Sequence, residues 1–271
     1  MIEFLKYHIK DRIVLTIKHL KLLLFPKHPI ILVFTMGKVG SLSVYSSLKK
    51  KMWQHAIFHI HTLDNNEVER VNRQLQDKGL FPDSRNPVPL IHKYFSRRQV
   101  KIITLVRNPI ERNVSAFFDA FQFLVGVKKK DFIGSIADLE NNYHQTFLHE
   151  YPIFWFQNQF YKCTGINIFS YPFNPEKGYL TIAKDTVSVL LVRSDLPDFR
   201  KENLISEFCS IQDFELTNTN LNTSSLYQKF KNNIKFSKKY LEDIYNSDLA
   251  VHFFSVQERN DNIEKWIKKD A

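Results

Sequence analysis

Cysteine is scarce: the 271 residues hold two, Cys163 and Cys209. Two thiols build neither a disulfide scaffold nor a zinc ribbon, and so few fit a reducing compartment. Glycine stands at 7 and proline at 10, which excludes fibrous, linker-dominated and low-complexity chains. No apolar run approaches the ~18 residues of a membrane-spanning helix; residues 30–34 are among the longest. The opening stretch, MIEFLKYHIKDRIVLTIKHLKLLLFPKHP, is broken throughout by Lys, Arg and His. It lacks the uninterrupted apolar core and small-residue end of a secretory signal. Acidic residues are outnumbered, 28 against 38 basic, for a net charge of +10 and a pI near 9.4. Beyond a merely solvated basic surface, an excess of that size points to an anionic partner: nucleic acid, anionic lipid, or a phosphorylated or sulfated small molecule.

What is present is globular: 44% hydrophobic and 24% charged residues, enough for one large domain or two small ones. Residues 1–28 read as an N-terminal helical segment. Within 13–25, Ile13, Ile17, Leu20 and Leu24 share one helical face, with Lys18 and Lys21 elsewhere. Such a helix packs on its own domain, the commoner outcome, or lies on an anionic membrane surface. Either way the chain reads as cytoplasmic, with a peripheral position on the inner membrane face left open. Residues 29–271 read as a single domain. Strands are expected at 30–34, 56–60, 88–91, 100–106, 166–170 and 187–192. Helices are expected at 42–52, 67–76, 109–124, 238–245 and 257–268, with loops at 80–89 and 217–224. Strands alternating with helices, several of them unbroken apolar runs, indicate α/β architecture around a parallel sheet.

Two segments carry charge chemistry. TMGKVGSLS, residues 35–43, follows the strongest strand and opens a helix. Unpaired N–H groups and the positive dipole end converge there. Gly37 and Gly40 let the backbone curl around an anion, Lys38 adds charge, and Ser41 and Ser43 add hydroxyls. Val39 follows the lysine where a nucleotide triphosphatase loop has a Mg²⁺-ligating hydroxyl, so the cradle suits a donor that needs no magnesium. The second segment, KIITLVRNPIERNVSAFF, delivers Arg107 to the C-terminal end of a buried strand, where α/β ligands bind. Asn108 suits a helix N-cap and Pro109 the first helical position. Arg107 can fork onto a phosphate and Ser115 can donate a hydroxyl. Alone, Arg107 would serve as a helix-terminus ion pair with Glu111 or Asp119.

Together these segments resemble the sulfotransferases that use 3′-phosphoadenosine 5′-phosphosulfate. The family's K-x-G-[ST]-[ST] loop reads here Lys38-Val-Gly40-Ser41-Leu42-Ser43, with Leu42 in place of a hydroxyl residue. Its R-[DN]-P-x-[ED]-R-x-x-S segment reads Arg107-Asn108-Pro109-Ile-Glu111-Arg112-Asn-Val-Ser115. VSVLLVRSDLPDF, 187–199, resembles the family's R-x-E-D-L segment, with Ser194 replacing an acidic residue. EYPIFWFQNQF and HFFSVQERNDNIEKW resemble bacterial members linked to capsular polysaccharide. The resemblance implies a P-loop-like, three-layer sandwich with a central parallel sheet. It implies sulfuryl transfer from 3′-phosphoadenosine 5′-phosphosulfate to a hydroxyl of a cell-surface or capsular glycan, with no metal required. It places Thr35, Gly37, Lys38, Val39, Gly40, Ser41, Leu42 and Ser43 at the 5′-phosphosulfate and Arg107 and Ser115 at the 3′-phosphate. Lys38 then acts on the leaving phosphate.

The acceptor hydroxyl needs a general base. His92, read as ending a short strand, is the first choice and His61 the second, with Lys93 assisting. His59 and His61 share one strand face, and either could equally be a buried, hydrogen-bonded strand residue. A zinc site from His59, His61 and Asp64 is disfavoured because no fourth ligand clusters nearby. Phe117, Phe118, Phe121 and Phe123 read as core, as do Trp155 and Phe156. The scattered cations do not form a nucleic-acid stripe, and the Asn-x-Ser matches at 113 and 222 read as chance. A P-loop-fold kinase or nucleotide-binding protein is the alternative function.

Overall fold

The structure, a computed structural model, describes residues 2–80, 86–217 and 224–267, with side chains from residue 12 onward. In chain order the main elements are α1 (Ile2–Leu24), β1 (Ile30–Phe34), α2 (Ser41–Lys51), β2 (Ile57–Ile60), α3 (Asn65–Asp77), α4 (Val88–Phe95), β3 (Val100–Val106), α5 (Pro109–Asp119), α6 (Phe121–Val125) and α7 (Ile136–Thr146). Then come α8 (Tyr151–Trp155), which passes through a wider π-type segment, Phe156–Tyr161, into α9 (Lys162–Thr164). β4 (Tyr179–Lys184), β5 (Val187–Arg193), α10 (Asp198–Cys209), α11 (Ser225–Asn233), α12 (Lys238–Tyr245), α13 (Asp248–Phe253) and α14 (Val256–Trp266) complete the described chain. It divides into two compact units. The first is Met1–Thr35, Gly40–Leu105 and Leu180–Thr219; the second is Met36–Val39, Val106–Tyr179 and Asn220–Ala271.

The first unit is mixed α/β around a five-stranded sheet of order β2-β1-β3-β5-β4. β1 pairs in parallel with both β2 and β3, with Leu32 opposite Phe58 and Ile102. The Val100 N–H donates to Thr186 O, which sets the starts of β3 and β5 side by side and so makes them parallel. Only Asp185 and Thr186 join β4 to β5, and so short a link makes that pair antiparallel. All five residues of β1 are buried, as are six of seven in β3 and in β5. Such interior strands read as apolar runs because both faces are covered. β4 is different: one of its six residues, Ile182, is buried, as befits an edge strand. α2 packs on β1 and β2, and α10 on β5.

The second unit is helical. Its core gathers Ile110, Val114, Phe117, Phe118 and Phe121 with Leu139, Tyr143, Phe230, Phe236 and Tyr245. Phe117 meets Phe118, Phe121 and Tyr143 edge-on, with ring centroids 5.2–5.9 Å apart. Trp155 and Phe156, each 1% exposed, are core residues too.

Several expectations change. Residues 88–91 are not a strand but the start of α4, whose Val88 and Ile91 are buried three apart. A four-residue apolar run cannot by itself distinguish strand from helix, and here Asn86 accepts the Val88 N–H and starts a helix. Residues 166–170 are not a strand either; Asn167 accepts the Phe169 N–H and closes a 3₁₀ turn, Ile168–Ser170. The helix expected over 109–124 breaks at Ala120 into α5 and α6. Most of the loop expected at 217–224 and part of that at 80–89 lie outside the described residues. Among the described residues no helix is long and apolar enough to cross a membrane.

Candidate functional site

In the second unit the site is built on the start of α5. Asn108 accepts N–H bonds from Ile110 and Glu111 through its side-chain oxygen, and Pro109 occupies the first helical position. This cap sets Arg107 just before the helix and Arg112 one turn inside it. Both guanidiniums then seize the segment Met36–Lys38. Arg112 donates through Nη2 to Met36 O at 3.0 Å and through Nε to Gly37 O at 3.3 Å. Arg107 donates through Nη1 to Lys38 O at 3.1 Å.

The consequence is geometric. In a trans peptide the carbonyl and the following N–H point in opposite directions. With three successive carbonyls turned toward arginines, the N–H groups of Gly37, Lys38 and Val39 are turned away from them. Among the described residues none of these three donates to a carbonyl. The backbone takes this path through left-handed conformations, φ 73° at Gly37 and 59° at Lys38. Glycine does so freely; at a lysine the cost is roughly 1–2 kcal/mol. Lys38 is thus a non-glycine residue held in a left-handed conformation beside three N–H groups that point away from the arginines.

The electrostatics favour an anion. Arg112 is 6% exposed, and burial lowers its pKa to about 10, so it stays charged at neutral pH. Its Nη1 donates to Asn113 Oδ1, and Tyr151 lies under the guanidinium at 4.9 Å. Lys38 Nζ pairs with Asp119 Oδ1 at 2.9 Å, and Arg107 Nη2 lies 3.6 Å from Glu111 Oε2. Burial works to raise the Glu111 carboxyl pKa, but the bond from Lys265, with the charges of Arg107 and Lys231, holds it below its ordinary value. Burial raises the Tyr227 hydroxyl pKa, while the charge of Arg107 works against that rise. Glu111, Ser115 and Asp119 recur at i, i+4 and i+8 and so share one face of α5. Lys38, Arg107 and the half-buried Ser115 are thereby gathered along that face. Lys38 and Arg107 both hold carboxylates, as the bland reading of Arg107 anticipated. Asp119 is 64% exposed, and an exposed pair of this kind is worth ~0–1 kcal/mol.

In the first unit the flanking residues carry histidines. Thr35 is fully buried, and its Oγ1 has no hydrogen-bond partner among the described residues. His61 Nδ1 lies 2.7 Å from Thr35 O. A carbonyl only accepts, so Nδ1 carries the proton and, in the neutral ring, Nε2 is the basic nitrogen. His59 Nε2 lies 2.9 Å from Ser41 Oγ, and the two rings meet edge-on at 4.9 Å. Gly40 caps α2 in a left-handed conformation, φ 86°. Ser43 donates its hydroxyl to Thr217 O, and Leu42 is exposed. His92 sits on α4 rather than at a strand end. Its Nε2 donates to Leu63 O at 2.7 Å, so its basic nitrogen is Nδ1. Lys93 lies 5.5 Å from the Tyr94 ring. Asp64 caps α3, and among the described residues no three His, Cys, Asp or Glu side chains gather as metal ligands. Arg193, at the end of β5, forks onto Asp195 at 3.0 and 2.6 Å.

Sequence reasoning missed three participants. Arg112 stood inside the quoted motif without a role, although a second arginine one turn into a capped helix is a legible signal. Of the two carboxylates expected for Arg107, Glu111 pairs with it and Asp119 holds Lys38 instead. The bond between Ser41 and His59 joins residues 18 apart, and no local pattern foretells it. No known protein family, no curated protein and no solved structure matches the chain.

Proposed function

We propose that this chain is a sulfotransferase, on a P-loop-like three-layer α/β sandwich, that moves a sulfuryl group from 3′-phosphoadenosine 5′-phosphosulfate to a hydroxyl of a glycan. The observation that carries the reading is the set of three backbone carbonyls held by Arg107 and Arg112, which turns the N–H groups of Gly37, Lys38 and Val39 away from the arginines. Fixed N–H donors next to an ammonium suit a multi-oxygen anion. The parallel pairing of β1, and its lead into this segment, supports the fold. Capsular or cell-surface glycan as acceptor class rests on the sequence resemblance.

When bound, the donor supplies an activated sulfuryl group on a phosphate leaving group. Residues 35–43 are assigned to its phosphosulfate end, and Arg107 and Ser115 to its 3′-phosphate. Lys38 counters the charge that builds on the leaving oxygen, and its bond to Asp119 keeps the ammonium oriented until an anion takes it over. Pre-aimed donors do this work without reorganising as charge develops. Val39, which follows the lysine, has no side-chain hydroxyl to offer a magnesium ion, so none is assigned. His61 is the general base: Thr35 O fixes the Nδ1 proton and Nε2 receives the acceptor's proton. His92, held the same way through its other nitrogen, is the alternative.

Calorimetric titration with adenosine 3′,5′-bisphosphate, with and without Mg²⁺, tests the reading. Binding of equal strength in both is the expected result. ATP binding that requires Mg²⁺ would move the chain to the kinases. Duplex binding that falls steeply with salt, with no nucleotide binding, would make it a nucleic-acid protein.

A further inference from the structure

α1 has two faces. One turns inward within the first unit: Leu22 is 2% exposed, and the Lys18 ammonium lies 4.5 Å from the Phe58 ring and 5.6 Å from that of Tyr45. The end of the helix is tied down by Arg98, whose guanidinium donates to the carbonyls of Leu22, Phe25 and His28. This inner face is not the one the apolar spacing marks out. Ile13, Ile17, Leu20 and Leu24, the expected packing face, are 54%, 46%, 49% and 70% exposed, and Leu23 beside them is 56% exposed. Thr16, on the same side, spends its hydroxyl on Arg12 O, so polar groups contribute little there. Scattered exposed apolar side chains are ordinary, but a continuous helical stripe of five marks an interaction surface.

Charge says what covers it. From Arg12 to Lys27 the chain has four Lys or Arg and no Asp or Glu. α2 ends in Lys49, Lys50 and Lys51, all exposed. Lys18 of α1 lies 5.6 Å from the ring of Tyr45 in α2, so the two helices neighbour one another, and the charge of Lys49 reaches Lys21. Trp53, just beyond, is 63% exposed. A second copy laid face to face would set these cations against one another. An anionic bilayer satisfies both features, since it takes branched apolar side chains into the headgroup boundary and attracts the flanking lysines.

We propose that the exposed face of α1, Ile13 to Leu24, is an interfacial element that docks the protein on an anionic membrane surface. Nothing in this depends on the enzymatic reading. The test is co-sedimentation of the full chain with phosphatidylcholine vesicles, with and without phosphatidylglycerol. The protein binds the anionic vesicles at least about tenfold more tightly. Combining Ile17→Ser, Leu20→Ser and Leu24→Ser weakens that binding about 100-fold or more, since each loses apolar burial. Combining Lys49→Ala, Lys50→Ala and Lys51→Ala weakens it about fivefold per lysine. Both variants change exposed residues, so their melting temperatures stay near that of the parent protein. The proposal is overturned if the parent protein ignores anionic vesicles or if the triple-serine variant binds them equally well. A lipid-free dimer that the serine changes convert to monomer would overturn it too.

Discussion

Lys38 and Arg112 divide the labour of one segment, and substitutions should separate them. Lys38 is a surface cation whose pairing with exposed Asp119 adds little to stability. Lys38→Ala should therefore leave unfolding free energy within ~1 kcal/mol of the parent; on the proposed sulfotransferase reading it should also lower turnover by a factor of ~10²–10³. Arg112 is buried and satisfies two carbonyls. Arg112→Met should cost ~2–4 kcal/mol in a urea titration, because each buried acceptor left unpaired costs ~1–3 kcal/mol. It should also weaken adenosine bisphosphate binding, as the carbonyls lose what fixes their direction. An Arg112→Met protein of unchanged stability, or a fully active Lys38→Ala protein, contradicts this division. Lys38 was legible in the sequence because its neighbours are glycines between a strand and a helix. The role of Arg112 was not, since the oxygens it holds lie 75 and 76 residues away along the chain.

At the scale of elements, the cap of α5 is the joint on which both arginines depend. Asn108 accepts two helix N–H groups and also the Tyr245 hydroxyl, at 3.1 Å. Asn108→Ala should destabilise the protein by ~1 kcal/mol for the cap, with a further loss from the unpaired tyrosine hydroxyl. Asn108→Asp, which keeps the acceptor, should restore most of it. Equal unfolding midpoints for the alanine variant and the parent would count against the cap. This element could be read directly, because Asn-Pro before an amphipathic run is a local signal. β4 could not: its exposed pattern carries no apolar run, and its pairing with β5 is what makes it a strand. Residues 88–91 erred the other way, since their apolar run looked like a strand while Asn86 and the prolines began a helix.

For the molecule as a whole, the histidines set a pH dependence of known sign. His55 stacks on His28 at 4.4 Å, and the charges of His28, Lys101 and Lys21 act on it. Burial chiefly, and then those neighbours, lower its pKa from 6.5 to about 4. His144, His149 and His252 are lowered as well, first by burial in each case. A histidine with a lowered folded-state pKa binds fewer protons folded than unfolded, so its contribution is complete above the unfolded value. It is lost as pH falls from about 6.5 toward about 4. The melting temperature should drop across that window, and His55→Gln should flatten the drop. A parent protein equally stable at both ends would refute the assignment. His149 gives the local reason: its Nε2 donates to Tyr143 O while its Nδ1 accepts from the Tyr240 hydroxyl. A second proton on that ring would force the Tyr240 hydroxyl to give up donating and accept instead, and would place a charge in a half-buried site.

Sequence alone determined the α/β class, the buried strands at 30–34, 100–106 and 187–192, the capped start of α5, and the glycine-lysine turn after the first strand. Each is written in contiguous residues, through apolar runs, Asn-Pro capping or glycine spacing, and so is set by local sterics and solvation. Tertiary structure decided which carbonyls Arg112 holds, which carboxylate orients Lys38, which residues the histidines join, and which face of α1 the chain leaves uncovered. Those outcomes hinge on contacts between residues far apart in the chain, and a local pattern carries no information about which distant atom will satisfy a buried charge.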